Sequence, residues 1–139
     1  MQNKEDKIIK ITRDKSAGLR KLRKFERQRL IEINEIKLEN MPKTLKKDVL
    51  PVGVFGHTKW GECVYASDNC KYGKIRQIIG QQNVKDAINL EAHLRNGFDY
   101  FITEDTHFIK DEIRAELELE FTGLSILTTN ELENLLNAK

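Results

Sequence analysis

The stretch KDAINLEAHLRNGFDYFITED, residues 85–105, decides how the rest of the chain is read. Asp86 opens a segment with apolar residues at helical spacing, Asn96-Gly97 stops it, and Tyr100-Phe101-Ile102 reads as a buried strand. Glu104 and Asp105 then stand just past that strand's carboxyl end, the edge of a parallel α/β sheet where ligands bind. If helix and strand pack together, Asp86 and Asp105 face one crevice, and clustered carboxylates repel one another unless a cation neutralises them. Each acid also has a plainer reading, Asp86 as a helix N-terminal charge and Glu104-Asp105 as a turn.

Downstream, Ile109 to Phe121 reads as an acid-rich helix with Ile113, Leu117 and Phe121 turned inward, and Gly123 releases the chain into a strand at 124–128. Thr128-Thr129-Asn130-Glu131 has capping-box spacing ahead of a last helix carrying Leu132, Leu135 and Leu136. Strand, helix, strand, helix in this order implies right-handed crossovers and a parallel sheet. Upstream, residues 7–12 (KIIKIT) read as a first strand, followed by a long helix from about Ser16 to Asn40. Leu19, Leu22 and Phe25 make one stripe of that helix, Leu30, Ile33 and Ile36 a second, and Pro42 ends it. Val49 to Phe55 reads as a strand closed by Gly56-His57, residues 58–67 as a further helix, and 67–73 as a loop. A short helix through Ile75, Ile78 and Ile79 stops at Gly80. The expected architecture is a single α/β domain over residues 1–139, a three-layer α/β/α sandwich around a mainly parallel central sheet.

Composition agrees with a globular domain, 39% hydrophobic and 33% charged. No apolar run is long enough to span a bilayer and the start lacks a signal-peptide core, so the expected location is cytoplasmic, without membrane association. Cys63 and Cys70 are too few for a disulfide framework, and with His57 they lack the close ligand pairs of a zinc site. The net charge of +2 conceals an asymmetry, +7 over residues 1–49 against −5 over the rest. Residues 20–29 hold six cations and one anion, so Arg20, Lys21, Arg23 and Lys24 are candidate phosphate contacts. A solvated helix face reads equally well.

The pattern D-A-x-x-L-x-x-x-x-x-x-G-x-D-Y-F-I-T-E-D-x-x-F from Asp86 to Phe108 resembles the C-terminal half of PIN-domain proteins, which are metal-dependent nucleases. Asp86 matches the acid that begins the family's helix, and Thr103-Glu104-Asp105 matches its T-x-D signature. The likeness continues through Gly123 to Thr128 and the closing ELENLL segment, covering residues 80–137. It implies a PIN-like fold and two further acids in the first half. Asp14, in Asp14-Lys15-Ser16 after the first strand, has the D-x-S form, although Arg13 and Lys15 are unusual beside a metal. Glu62 stands where the other acid belongs, at a spacing to Asp86 that is short for the family.

The resemblance implies phosphodiester hydrolysis, most naturally of single-stranded RNA, with Asp86, Asp105, Glu62 and Asp14 holding Mg²⁺ or Mn²⁺. Glu104 is the spare ligand or base, and Asn89 and His93, on the helix face of Asp86, are candidate substrate contacts. His93 also reads as a structural histidine, as does His107, and Glu91 as a surface or partner contact. The implied partners are RNA, an inhibitory antitoxin protein if the chain is a toxin, and a second copy. The alternative is a catalytically degenerate module that binds RNA or a protein through its basic N-terminal half. A flavodoxin-like phosphoacceptor lacks its supporting residues, and Gly53 to Gly56 fits neither a Rossmann nor a P-loop pattern.

Overall fold

A computed structural model describes residues 8–36, 48–54 and 70–138. The elements are β1 (Ile9–Arg13), α1 (Leu19–Arg27), β2 (Ile31–Ile36), β3 (Asp48–Val49), α2 (Tyr72–Ile79), α3 (Val84–Asn96), β4 (Tyr100–Ile102), α4 (Thr106–Ile109), α5 (Asp111–Glu120), β5 (Ile126–Leu127) and α6 (Thr129–Asn137). Among the described residues the strands form one five-stranded sheet in the order β3-β2-β1-β4-β5, with every pairing parallel. Register sets Thr12 beside Asn34 on one side and Phe101 on the other.

Helices cover both faces, so the architecture is the expected three-layer α/β fold. On one face α1 and α6 pack Leu22, Phe25, Leu132 and Leu136 against Ile11, Ile33 and Ile102. On the other, α2, α3 and α5 pack Ile75, Leu90 and Leu117 against Phe101 and Ile126. Phe101 is the pivot of that second layer, edge-on to Phe108 at 5.0 Å and to the His93 ring at 5.5 Å. Burying such a ring contributes roughly 1.5–3 kcal/mol relative to leaving it in water.

Over the described residues 16–36, the helix expected over 16–40 is instead two elements. α1 ends at Arg27, and Ile31–Ile36 is a strand at the heart of the sheet. The helix stops in a Schellman turn: Leu30 N–H donates to the Phe25 carbonyl (3.1 Å) and Arg29 N–H to the Glu26 carbonyl (2.9 Å). Arg29 takes the left-handed position at φ 62° that glycine usually fills. Beyond it, β-branched Ile31, Ile33 and Ile36 suit a pleated, buried strand better than a helix. The strand expected at 49–55 is described only as the two-residue β3 with a buried Val52 beyond it. The helix expected at 58–67, with Gly56-His57, lies outside the described residues.

In the second half the expected boundaries shift by a few residues. α3 begins at Val84, which makes Asp86 its third residue, and Gly97 at φ 67° ends it. The helix expected over 109–121 is divided at Lys110, whose ψ of 130° breaks it into α4 and α5. α6 carries the full capping box between Thr128 and Glu131.

A side chain in the left-handed region costs on the order of 1–2 kcal/mol. Arg29→Gly is therefore expected to stabilise the protein by about 0.5–1 kcal/mol after glycine's larger entropy loss. The check is a higher urea midpoint with an unchanged slope.

Candidate functional site

The sheet order reverses between β1 and β4: β2 and β3 lie to one side of the pair, β5 to the other. In open α/β sheets the crevice at the carboxyl ends of such strands is where ligands are held. Two short loops meet there, residues 14–18 after β1 and 103–105 after β4, joined by Asp14 N–H donating to the Ile102 carbonyl (2.9 Å).

Asp14 is the centre of this crevice and only 2% exposed. Its Oδ2 accepts from the Ser16 hydroxyl (2.6 Å) and the Thr103 hydroxyl (2.8 Å), and its Oδ1 from the Asn89 amide at a long 3.4 Å. A buried carboxylate needs such donors in place of water. The same hydroxyls order the backbone opposite, since Thr103 Oγ1 accepts from Asp105 N–H (3.0 Å) and Ser16 Oγ from Glu104 N–H (2.8 Å). Thr103 thus couples the two aspartates, side chain of one to backbone of the other. The D-x-S and T-x-D spacings were the legible trace of these hydroxyls, whose role as a shared clamp the sequence does not announce.

α3 closes the crevice from the other side. Asp86, Asn89 and His93 do share a face, as their spacing implies: Asn89 reaches Asp14, and His93 Nδ1 lies 2.7 Å from the Thr12 hydroxyl on β1. Asp86 is one turn nearer the helix N-terminus on that face, half-buried like Asp105, and each of the two is engaged in a polar interaction. Arg13, which looked out of place beside a metal, points to the opposite face. There it pairs with buried Glu35 of β2 and donates from Nε to the Ala17 carbonyl.

Three expectations are corrected. His93 is not a substrate contact: it is 1% exposed, wedged among Thr12, Phe98 and Phe101. Burial holds its pKa down at about 4, against a smaller opposing pull from Asp99, so the ring is neutral at pH 7. Glu104 does not turn into the crevice, because its carboxylate accepts from the Thr129 N–H (2.7 Å) at the first turn of α6. Glu91 is 4% exposed rather than a surface residue; it pairs with Arg95, which reaches on to the Leu50 carbonyl (2.7 Å).

The basic candidates divide. Arg20, Arg23 and Lys24 are exposed along α1, whereas Lys21 is drawn to α6, where it donates to Asn130 (3.1 Å) and pairs with Glu133 (3.4 Å). Glu62 lies outside the described residues. Among the described residues no three His, Cys, Asp or Glu side chains form a metal-holding group. No protein-family model, curated protein or solved structure matches this chain.

The folded-state pKa of His93 lies below its unfolded value of 6.5, so between about 4 and 6.5 the unfolded chain binds more protons and stability rises with pH. Acidification through that window is expected to remove on the order of 3 kcal/mol, an effect absent in His93→Asn when unfolding is followed against pH. Glu104→Ala is expected to cost about 1 kcal/mol through loss of the α6 contact, and Glu104→Gln, which keeps an acceptor, to restore most of it in urea melts.

Proposed function

We propose that this protein is a divalent-metal-dependent nuclease of the PIN type, an endoribonuclease acting on single-stranded RNA. The observation that carries the reading is the buried Asp14 carboxylate at the reversal point of the sheet, clamped by Ser16 and by the Thr103 that also fixes Asp105. The elements that supply this clamp also carry two further acids, Asp105, whose N–H donates to the Thr103 hydroxyl, and Asp86, one turn before Asn89 on α3.

The donor chemistry fits a hard cation. Asp14, Asp86 and Asp105 offer only carboxylate oxygens, and Mg²⁺ is commonly held by one or two carboxylates, several waters and the substrate's phosphates. A closed cage of protein ligands is therefore not required. With Oδ2 committed to two hydroxyls, Asp14 presents Oδ1, which carries only the long Asn89 contact. Asp105 contributes from the β4 loop and Asp86 from the first turn of α3. When bound, the ion supplies charge neutralisation at the phosphate and acidifies water for attack on phosphorus. The chain's own part is positional: Ser16 and Thr103 orient the Asp14 carboxylate, and the Thr12–His93 contact with the Phe101 ring behind it packs the layer beneath.

Asp86→Asn and Asp105→Asn are each expected to lower Mg²⁺- or Mn²⁺-dependent cleavage of a single-stranded RNA at least about a hundredfold, with circular dichroism and melting unchanged. Undiminished cleavage in both variants would overturn the proposal. A second reading, a catalytically degenerate module that binds RNA without turnover, is favoured by the diversion of Glu104 to α6. It requires that the wild-type chain bind but never cleave in saturating Mn²⁺.

A further inference from the structure

We infer that the outer face of α1 is a docking surface for the sugar-phosphate backbone of a single nucleic-acid strand, leading away from the crevice and independent of base sequence. The inference rests on the nuclease reading only in choosing nucleic acid as the polyanion, and it concerns a surface outside the carboxylate site.

Four cations, Arg20, Arg23, Lys24 and Arg27, recur at the spacing that puts them on one side of a helix, and all four are exposed. Leu22 and Phe25 on the reverse side are buried against β1, β2 and α6, so the helix is anchored and its charged face is fixed outward. Among the described residues Arg20, Lys24 and Arg27 make no ion pair, whereas Lys21 is used up against α6 and Arg23 is engaged elsewhere. α1 begins five residues after Asp14 and, as a crossover between parallel strands, runs from the crevice edge to the opposite edge of the sheet. At 1.5 Å per residue its nine residues make a basic track about 13 Å long that starts beside the crevice.

The chemistry of the strip selects its partner. A protein interface needs an apolar or aromatic centre, and α1 itself exposes none: Leu22 and Phe25 are buried, Leu19 packs against the same core, and the exposed Leu30 lies beyond the helix end. For the same reason it has no apolar side to sink into a lipid surface. Phosphates need only charge and donors, and arginine's planar fork matches their oxygens. The lack of an aromatic for stacking means that bases are not read, so RNA and DNA strands of any sequence are held alike.

The test is fluorescence anisotropy of the full chain with a mixed-sequence single-stranded RNA in EDTA, over a range of salt. The combined variant Arg20→Glu, Lys24→Glu, Arg27→Glu is expected to bind at least about tenfold more weakly at low salt, with the salt slope reduced by about 2, as for three lost phosphate contacts. A charge-matched control, Lys71→Glu, Lys74→Glu, Lys110→Glu, changes exposed lysines of the α2 and α5 side and is expected to bind as wild type. Equal weakening in both variants would reduce the effect to net charge and overturn the inference, as would unaltered binding in the α1 variant. Competition by polyglutamate as effective as that by DNA would assign the face to acidic polypeptides instead. A chain that binds in this way and never cleaves defeats the nuclease proposal alone; one that cleaves while its binding ignores the α1 substitutions defeats this inference alone.

Discussion

A carboxylate taken out of water has to be surrounded by donors, and the Asp14 side chain recruits them from three separate parts of the chain. Ser16 comes from its own loop, Thr103 from the end of β4 and Asn89 from the middle of α3. The three segments can satisfy it only if β1 and β4 are neighbours and α3 lies across their carboxyl ends. The same constraint fixes the backbone: with Thr103 and Ser16 each bonded to Asp14, their oxygens also receive the amides of Asp105 and Glu104. A shift of any one segment would leave several buried polar groups without partners, which is far more costly than the loss of one surface contact.

Around this centre the sheet sorts its side chains by face. Ile11 and Arg13 of β1 point towards α1 and α6, whereas Thr12 and Asp14 point towards α3. The Arg13–Glu35 pair joins the ends of β1 and β2 on the first face, and the Thr12–His93 contact joins β1 to α3 on the second. Each of these buried polar contacts sits where a one-residue slip in register would exchange it for a clash with the apolar layer. The neutral ring of His93 suits this place: it gives Thr12 a partner while packing edge-on to Phe101 and tilted against Phe98.

The second half of the fold was legible because its signals are local. Asn96-Gly97, Gly123 and the Thr128 to Glu131 box mark element ends by backbone chemistry, and the structure ends its elements there. β2 was hidden by two coincidences. Leu30, Ile33 and Ile36 repeat every third residue and so imitate a helix face, and the left-handed turn that ends α1 carries Arg29 where a glycine would have announced it. Within the site, the helical spacing of Asp86, Asn89 and His93 correctly put them on one side, but spacing says nothing of depth. His93 proved to be floor rather than wall. Glu104 was misread for a related reason, since the partner that turns it away, the first amide of α6, is 25 residues further along the chain.

Among the described residues the two outermost strands, β3 and β5, have two residues each. Borders this short display few spare amides and carbonyls to which another polypeptide could add a ribbon. Natural sheets use abbreviated margins as a guard against open-ended stacking into fibres. Among the described residues the sheet therefore offers little open margin for a neighbouring chain to lengthen.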